Sequence, residues 1–325
     1  MIHHVFATKS NIGDWMSAKG IQHLLSPHPV VESFCDDPFV DNTIDRLSRL
    51  SSSDLIVIGG GGLFMDYFSP FWEGFAAISE RIPFCIWGIG YCDLKNVESR
   101  PPTELLRRIV RASQLCVVRD DLTREYLADL NLPAAVQCPA MAVLEPPVAP
   151  GFGVLHADHF NVIGSDAYDV VHREALRFAQ DTGRGYQQTD NQISDGDERA
   201  LAEQLERYAR ADVLVTSRLH GCIIGLAMGR KVLAISGDRK VDSFMTAAGL
   251  SEWVCDVNNL GGLSDLLARI EEQRWPREFV QRVRSENQVI GNLVKDIAHR
   301  LETGLSPASI GGAWIGAPSS SSRVP

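Results

Sequence analysis

The sequence predicts an α/β protein built on two parallel sheets, and three observations carry that prediction. Residues 212–236 read as an apolar strand, an apolar helix and a second apolar strand, broken only at the two junctions. Continuous apolar runs of this kind are what a parallel sheet covered on both faces requires. Short apolar runs that stop at glycines or charged residues alternate with helical segments through the whole preceding chain. Finally, 325 residues are enough for two cores, and Pro146, Pro147, Pro150, Gly151 and Gly153 mark a linker near the middle. The expected domains are 1–148 and 149–303, followed by a tail, 304–325, too poor in apolar residues to be held in order.

In chain order, residues 2–8 form a first strand, and the polar stretch Ser10 to Asp14 leads into a helix over 14–25. A strand at 30–34 and a helix at 41–50 follow. The run at 54–58 is a buried strand that meets Gly59, Gly60, Gly61 and Gly62, which permit close backbone approach and expose N–H groups. It is not a dinucleotide fingerprint, because Phe64 stands at the third glycine position. Asp66 and Tyr67 come next as candidate contacts. A strand at 84–87 ends in Gly88-Ile89-Gly90, and the helix at 103–112 carries Arg107, Arg108 and Arg111 as a solvated face. The strand at 115–118 stops at Arg119 and Asp120 before a helix at 121–130. The segment 136–143 closes the first domain.

The second domain opens at 153–164, where His156 and His159 lack the helical spacing and third ligand that a zinc site needs. Helices at 166–180 and 197–210 flank a weak strand at 186–189. The strand 212–216, helix 219–228 and strand 231–236 form the central unit. A helix at 241–248, a strand at 253–257, a helix at 263–272 and a long polar helix at 276–301 complete it.

Ligands of parallel sheets sit at the carboxyl ends of the strands. Arg218 and His220 fall at one such end, with Ser217 as the expected N-cap, and Arg239 and Lys240 fall just past the next. The start of a helix with two cationic side chains and Lys240 alongside is an anion site. Gly221, Gly225 and Gly229 leave one face of that helix bare for packing against the sheet. Asp14 can cap its helix or take a proton from an acceptor hydroxyl, and both readings stand.

The sequence Ser217-Arg218-Leu219-His220-Gly221, the strand after it and Lys240 resemble the polysaccharide pyruvyl transferases. Further matches are Asn11-x-Gly13-Asp14, the glycines with Leu63, and Arg119-Asp120. The resemblance implies two Rossmann-like domains in a glycosyltransferase B-type arrangement, with an interdomain cleft and the long last helix crossing back onto the first domain. It implies transfer of the enolpyruvyl group of phosphoenolpyruvate to a sugar, with Arg119, Arg218, Leu219, Lys240, Gly60, Gly61 and Asn11 holding substrate. No cofactor or metal is expected beyond that donor substrate. Family members usually carry Asp where this chain has Cys138, which reads as a packed residue.

Ketal transfer protonates the methylene carbon of phosphoenolpyruvate, exposes C2 to a sugar hydroxyl and releases phosphate. It therefore calls for several cations and one group that gives a proton near neutral pH. Arg119, Arg218, Lys240 and His220 are that set, with His220 as the acid and Asp14 of the first domain as the next candidate for that role. A nucleotide-sugar glycosyltransferase of the same architecture is the alternative. The pair of glutamates that retaining members use is absent after Ile235, where Asp238 and Asp242 stand.

The net charge of −10, from 41 acidic and 31 basic residues, speaks against nucleic acid or an anionic membrane as the main partner. Seven cysteines without CxxC spacing read as reduced core residues. The first residues lack a signal peptide pattern and no run is long enough to span a bilayer, so a cytoplasmic protein is expected. A lipid-linked acceptor would be met at the membrane face.

Overall fold

The computed structural model describes residues 1–95, 101–158 and 163–305. His159 and the tail beyond Leu305 lie outside the described residues. The first half contains β1 (Ile2–Phe6), α1 (Ile12–Leu25), β2 (Val30–Phe34), α2 (Val40–Ser48), β3 (Leu55–Phe64), α3 (Ser69–Ser79), β4 (Phe84–Tyr91), α4 (Thr103–Ala112), β5 (Leu115–Val118) and α5 (Asp121–Tyr126). The second contains β6 (Gly153–Ala157), α6 (Ser165–Asp181), β7 (Gly185–Thr189), α7 (Glu198–Arg210), β8 (Val213–Thr216), α8 (Leu219–Ala227), β9 (Lys231–Ser236), α9 (Arg239–Ala247), β10 (Val254–Asp256), α10 (Leu263–Ala268) and α11 (Arg277–Glu302).

The strands form two parallel five-stranded sheets, ordered β2-β1-β3-β4-β5 and β10-β9-β8-β6-β7. Numbered within each half, both orders are 2-1-3-4-5, so each sheet changes direction between its first and third strands. That switch point opens a crevice at the carboxyl ends of the strands. The apolar runs explain the architecture: every residue of β1, β5, β6 and β8 is buried, because helices cover both sheet faces.

Helix starts follow local chemistry. The Asn11 side chain accepts from the Gly13 and Asp14 N–H groups, Asp197 caps α7, and Asp238 caps α9 through the Lys240 N–H. Asn11, and not Asp14, therefore caps α1, which begins two residues earlier than expected. Several boundaries also differ. β3 and β4 run through their glycines to Phe64 and Tyr91, because the two strands keep pairing beyond a bulge. The helices expected at 121–130 and 263–272 each break into a short α-helix and a 3₁₀ turn, at Ala128–Leu130 and Ile270–Glu272.

Helix α11 crosses back onto the first sheet. Its Ile290, Val294 and Ile297 pack with Ile21, Leu24 and Trp87. Buried Asn287 accepts from Trp87 Nε1 at 3.0 Å and donates to Gln137 O at 2.9 Å. Arg284 donates to the carbonyls of Met141 and Leu144. All seven cysteines are buried and free. Among the described residues, no helix is long and apolar enough to cross a membrane.

Candidate active site between the two sheets

A cavity of about 350 Å³ lies where the carboxyl ends of the two sheets face each other. Its lining includes Asn11, Asp14 and Arg119 from the first half, and Arg218, Leu219, His220 and Lys240 from the second. The two halves are stitched together at both rims. On one side Ile12 donates to Asn191 O and Ile193 to Ser10 O; on the other, Lys95 donates to Gly237 O and Arg239 to Asp93 O.

The cations arrive by different routes. Arg119 follows β5, is only 1% exposed and donates Nε to Asp120 Oδ2 at 3.4 Å. Asp120 also caps α5, so the ion pair and the cap hold the guanidinium from behind. Its Nη2 is buried without a hydrogen-bond partner among the described residues, an arrangement that costs free energy unless an acceptor arrives. Gly90 makes the space: a Cβ there would stand 2.1 Å from Nη2. Lys240, in the first turn of α9, pairs with Asp238 Oδ2 at 2.6 Å and donates to Cys92 Sγ at 3.1 Å. Those neighbours hold Lys240 well above the usual lysine range against the opposing effect of burial.

The start of α8 differs from the expectation by one residue. Arg218 is the N-cap and Leu219 opens the helix, so His220 is its second residue. Ser217 does not cap, because its hydroxyl donates to buried Asp158, the residue just after β6. Gly221 and Gly225 do pack against the sheet, their missing Cβ atoms replaced by Thr216, Val232 and Leu214, whereas Gly229 lies beyond the helix in a left-handed turn with φ +72°.

His220 meets α1. Its Nδ1 is 3.8 Å from Asp14 Oδ1, and its Nε2 is 3.3 Å from Ser17 Oγ. Gly13 permits this contact, since a Cβ there would overlap the imidazole at 2.1 Å. Ser17 donates its one proton to Gly13 O at 2.8 Å, so its oxygen accepts from Nε2–H. Nδ1 is then the nitrogen that faces Asp14. Burial, then the charges of Arg119, Lys240 and Arg218, push His220 well below the ordinary histidine range. Burial pushes Asp14 up to about 6, against the same three cations.

Gly60 and Gly61 are placed differently from the expectation of substrate contact. Both have positive φ, but Gly60 packs on Ser17 and Gly61 on Asp14, and it is Gly62 and Leu63 that line the cavity. The glycines bring β3 against α1 and so locate Asp14. Cys138 is packed as expected, 3.0 Å from Ser17 Oγ, and burial raises its thiol. His156 bonds Tyr186 OH at 3.1 Å, and no metal-binding cluster occurs among the described residues.

The polysaccharide pyruvyl transferase family model matches residues 11–239. The chain belongs to the polysaccharide pyruvyl transferase family. It is accordingly a transferase, and its family implies a saccharide acceptor. No curated protein matches the sequence. Among solved structures, this pyruvyl transferase is similar to a UDP-GlcNAc 2-epimerase from Neisseria meningitidis bound to UDP-GlcNAc, with TM-score 0.56, 11% identity, and 93% of this chain and 99% of that one covered. It is also similar to an uncharacterised protein from Klebsiella pneumoniae, with TM-score 0.51, 14% identity, and 78% and 91% covered. Those likenesses show the B-type arrangement of two Rossmann-like halves.

Cys92, Asp238, Ser17 and Asn191 belong to the site and were not singled out from the sequence. Cys92 follows the strand–glycine run of β4, so the rule of strand carboxyl ends covers it. Ser17 stands one helical turn after Gly13, on the same face of α1.

Proposed function

We propose that this enzyme moves the enolpyruvyl group of phosphoenolpyruvate onto two hydroxyls of one sugar in a cell-surface or exopolysaccharide precursor, releasing phosphate. The observation that carries the reading is the buried, half-paired guanidinium of Arg119 facing Arg218 and Lys240 across the cavity. Three permanent cations suit one carboxylate and one phosphate, and the two arginines can each grip an anion in bidentate fashion.

In the first step C3 of phosphoenolpyruvate takes a proton from His220 Nδ1, and C2 becomes an oxocarbenium-like centre. A sugar hydroxyl adds to C2, and its proton passes to Asp14, from which the dyad is restored. The C2–O bond to phosphate breaks, the second hydroxyl closes the ring, and its proton leaves with phosphate. Burial, and after it the charges of three cations, favour the neutral form of His220 in the free site. A bound trianion opposes those charges and raises the imidazole toward the protonated form that the first step requires.

The acceptor is free or lipid-linked, and a lipid-linked one would be met at the membrane face by an enzyme working from the cytoplasmic side. The test is incubation with phosphoenolpyruvate and a panel of galactosides, glucosides and mannosides, read by phosphate release and product mass. A sugar ketal formed with stoichiometric phosphate is the expected result. Transfer from nucleotide sugars with no reaction of phosphoenolpyruvate would overturn the reading.

A further inference from the structure

We infer that the cavity is divided along its length, and that its β2 end, built on Tyr67 and Asp36, is a subsite for an uncharged pyranose ring of the acceptor. This rests on the pyruvyl-transfer reading for its occupant, and its geometry stands separately.

The strand order gives the division. Across the first sheet, the cavity residues Asp36, Asp14, Cys92 and Arg119 follow β2, β1, β4 and β5 respectively, so Asp36 and Arg119 stand at opposite edges. Four strand intervals separate those edges, about 19 Å at about 4.8 Å each. The second half keeps the same sense. Lys240 lies on the β4 side, bonded to Cys92, while Asn191 and Gln192 after β7 meet Asn11 on the β1 side. Arg119 and Lys240 therefore stand toward one end, Arg218 and the His220–Asp14 pair stand in the middle, and Asp36 stands at the other end.

That carboxylate end also presents an aromatic face. Tyr67 is 55% exposed, and two contacts fix its orientation. Its hydroxyl donates to Asp36, and its ring stands edge-on to Phe68 at 5.0 Å and 87°. The phenol is pushed up to about 12 by that carboxylate, so it keeps its proton and the contact persists at neutral pH. An exposed ring held at both ends offers a flat, electron-rich surface to the axial C–H groups of a pyranose, at small entropic cost. Asp36, beside it, can accept from sugar hydroxyls, and Met65 and Phe68 continue the apolar wall.

The charge of this end decides what kind of ring it takes. Asp36 faces the cavity there, and Lys9 of the neighbouring loop is engaged with Glu32 at 2.5 Å. A uronic acid or a phosphorylated ring on Tyr67 would bring its charge against Asp36, with Arg119 and Lys240 toward the far edge, whereas a neutral hexose meets acceptors and an aromatic face. A hexose on Tyr67 has its hydroxyls toward Asp14, and the donor at the cationic end has C2 toward the same group. The proton transfers then occur at the junction.

The test uses the full chain with Tyr67→Ala, Tyr67→Phe and wild type. Saturation-transfer NMR would follow methyl galactoside, methyl glucoside, methyl mannoside and methyl glucuronide at saturating phosphoenolpyruvate. Calorimetry would follow phosphoenolpyruvate itself. The expected result is a wild-type signal from at least one neutral glycoside and none from the glucuronide. Tyr67→Ala should weaken glycoside binding by about tenfold, the worth of a contact of about 1.4 kcal/mol, while Tyr67→Phe stays near wild type and phosphoenolpyruvate affinity is unchanged in both. Equal glycoside binding in Tyr67→Ala, preference for the glucuronide, or no glycoside signal with wild type would each overturn the subsite. Failure of wild type to bind phosphoenolpyruvate would instead overturn the donor assignment.

Discussion

On the proposed reading the chemistry turns on one imidazole whose neighbours work against its charge. His220 faces three cations and is buried, so the free enzyme holds it neutral at pH 7. On the proposed reading a bound trianion opposes those charges and draws a proton in. Calorimetric titration in buffers of different ionisation heat should therefore show proton uptake with phosphoenolpyruvate at pH 7, and the uptake should vanish in His220→Asn. The same variant should keep its affinity within a few-fold and lose about 10² to 10⁴ in turnover, the usual range for a lost general acid. Buffer-independent enthalpy in wild type would remove His220 from that role. The pH dependence of stability has a definite sign. Because the folded state disfavours the charged imidazole, His220 contributes a loss of stability that develops as pH falls below 6.5. Asp14 acts oppositely: its raised carboxyl costs stability above about 6, and that cost is relieved as pH falls toward 3.8.

Elements place these side chains, and here the sequence was legible in part. Apolar runs located the strands because a strand covered on both faces admits few polar residues. The motif Ser217 to Gly221 pointed to the cavity, which Arg218, His220 and Lys240 line together. What could not be read locally depended on partners distant in sequence. The extension of β3 and β4 through their glycines is set by mutual pairing. The cap at Arg218 follows from Ser217 turning to Asp158, 59 positions away. Tyr67 was visible only as a residue after a glycine run, and its orientation comes from Asp36 and Phe68. Long-range pairing also explains α11, whose polar sequence hides one buried asparagine. Replacing Asn287 by Ala leaves Trp87 Nε1 and Gln137 O without their partner, at a cost of about 1–3 kcal/mol. Thermal unfolding should show a lower Tm for that variant, with phosphoenolpyruvate affinity unchanged. An unaltered Tm would mean that water replaces the side chain there.

At the scale of the whole molecule, two halves of equal strand order face each other with their switch points together, and neither half alone has the site. Arg119 and Asp14 come from one, and Arg218, His220 and Lys240 from the other. The backbone bridges at both rims hold those groups around one cavity. Titration of phosphoenolpyruvate into wild type, Arg119→Gln and Arg218→Ala, each checked for folding by circular dichroism, tests that claim most directly. One molecule should bind per chain, and each variant should bind about tenfold to a hundredfold more weakly, as loss of a charged hydrogen bond implies. Undiminished binding in either variant, or binding of a nucleotide sugar with none of phosphoenolpyruvate, would contradict it.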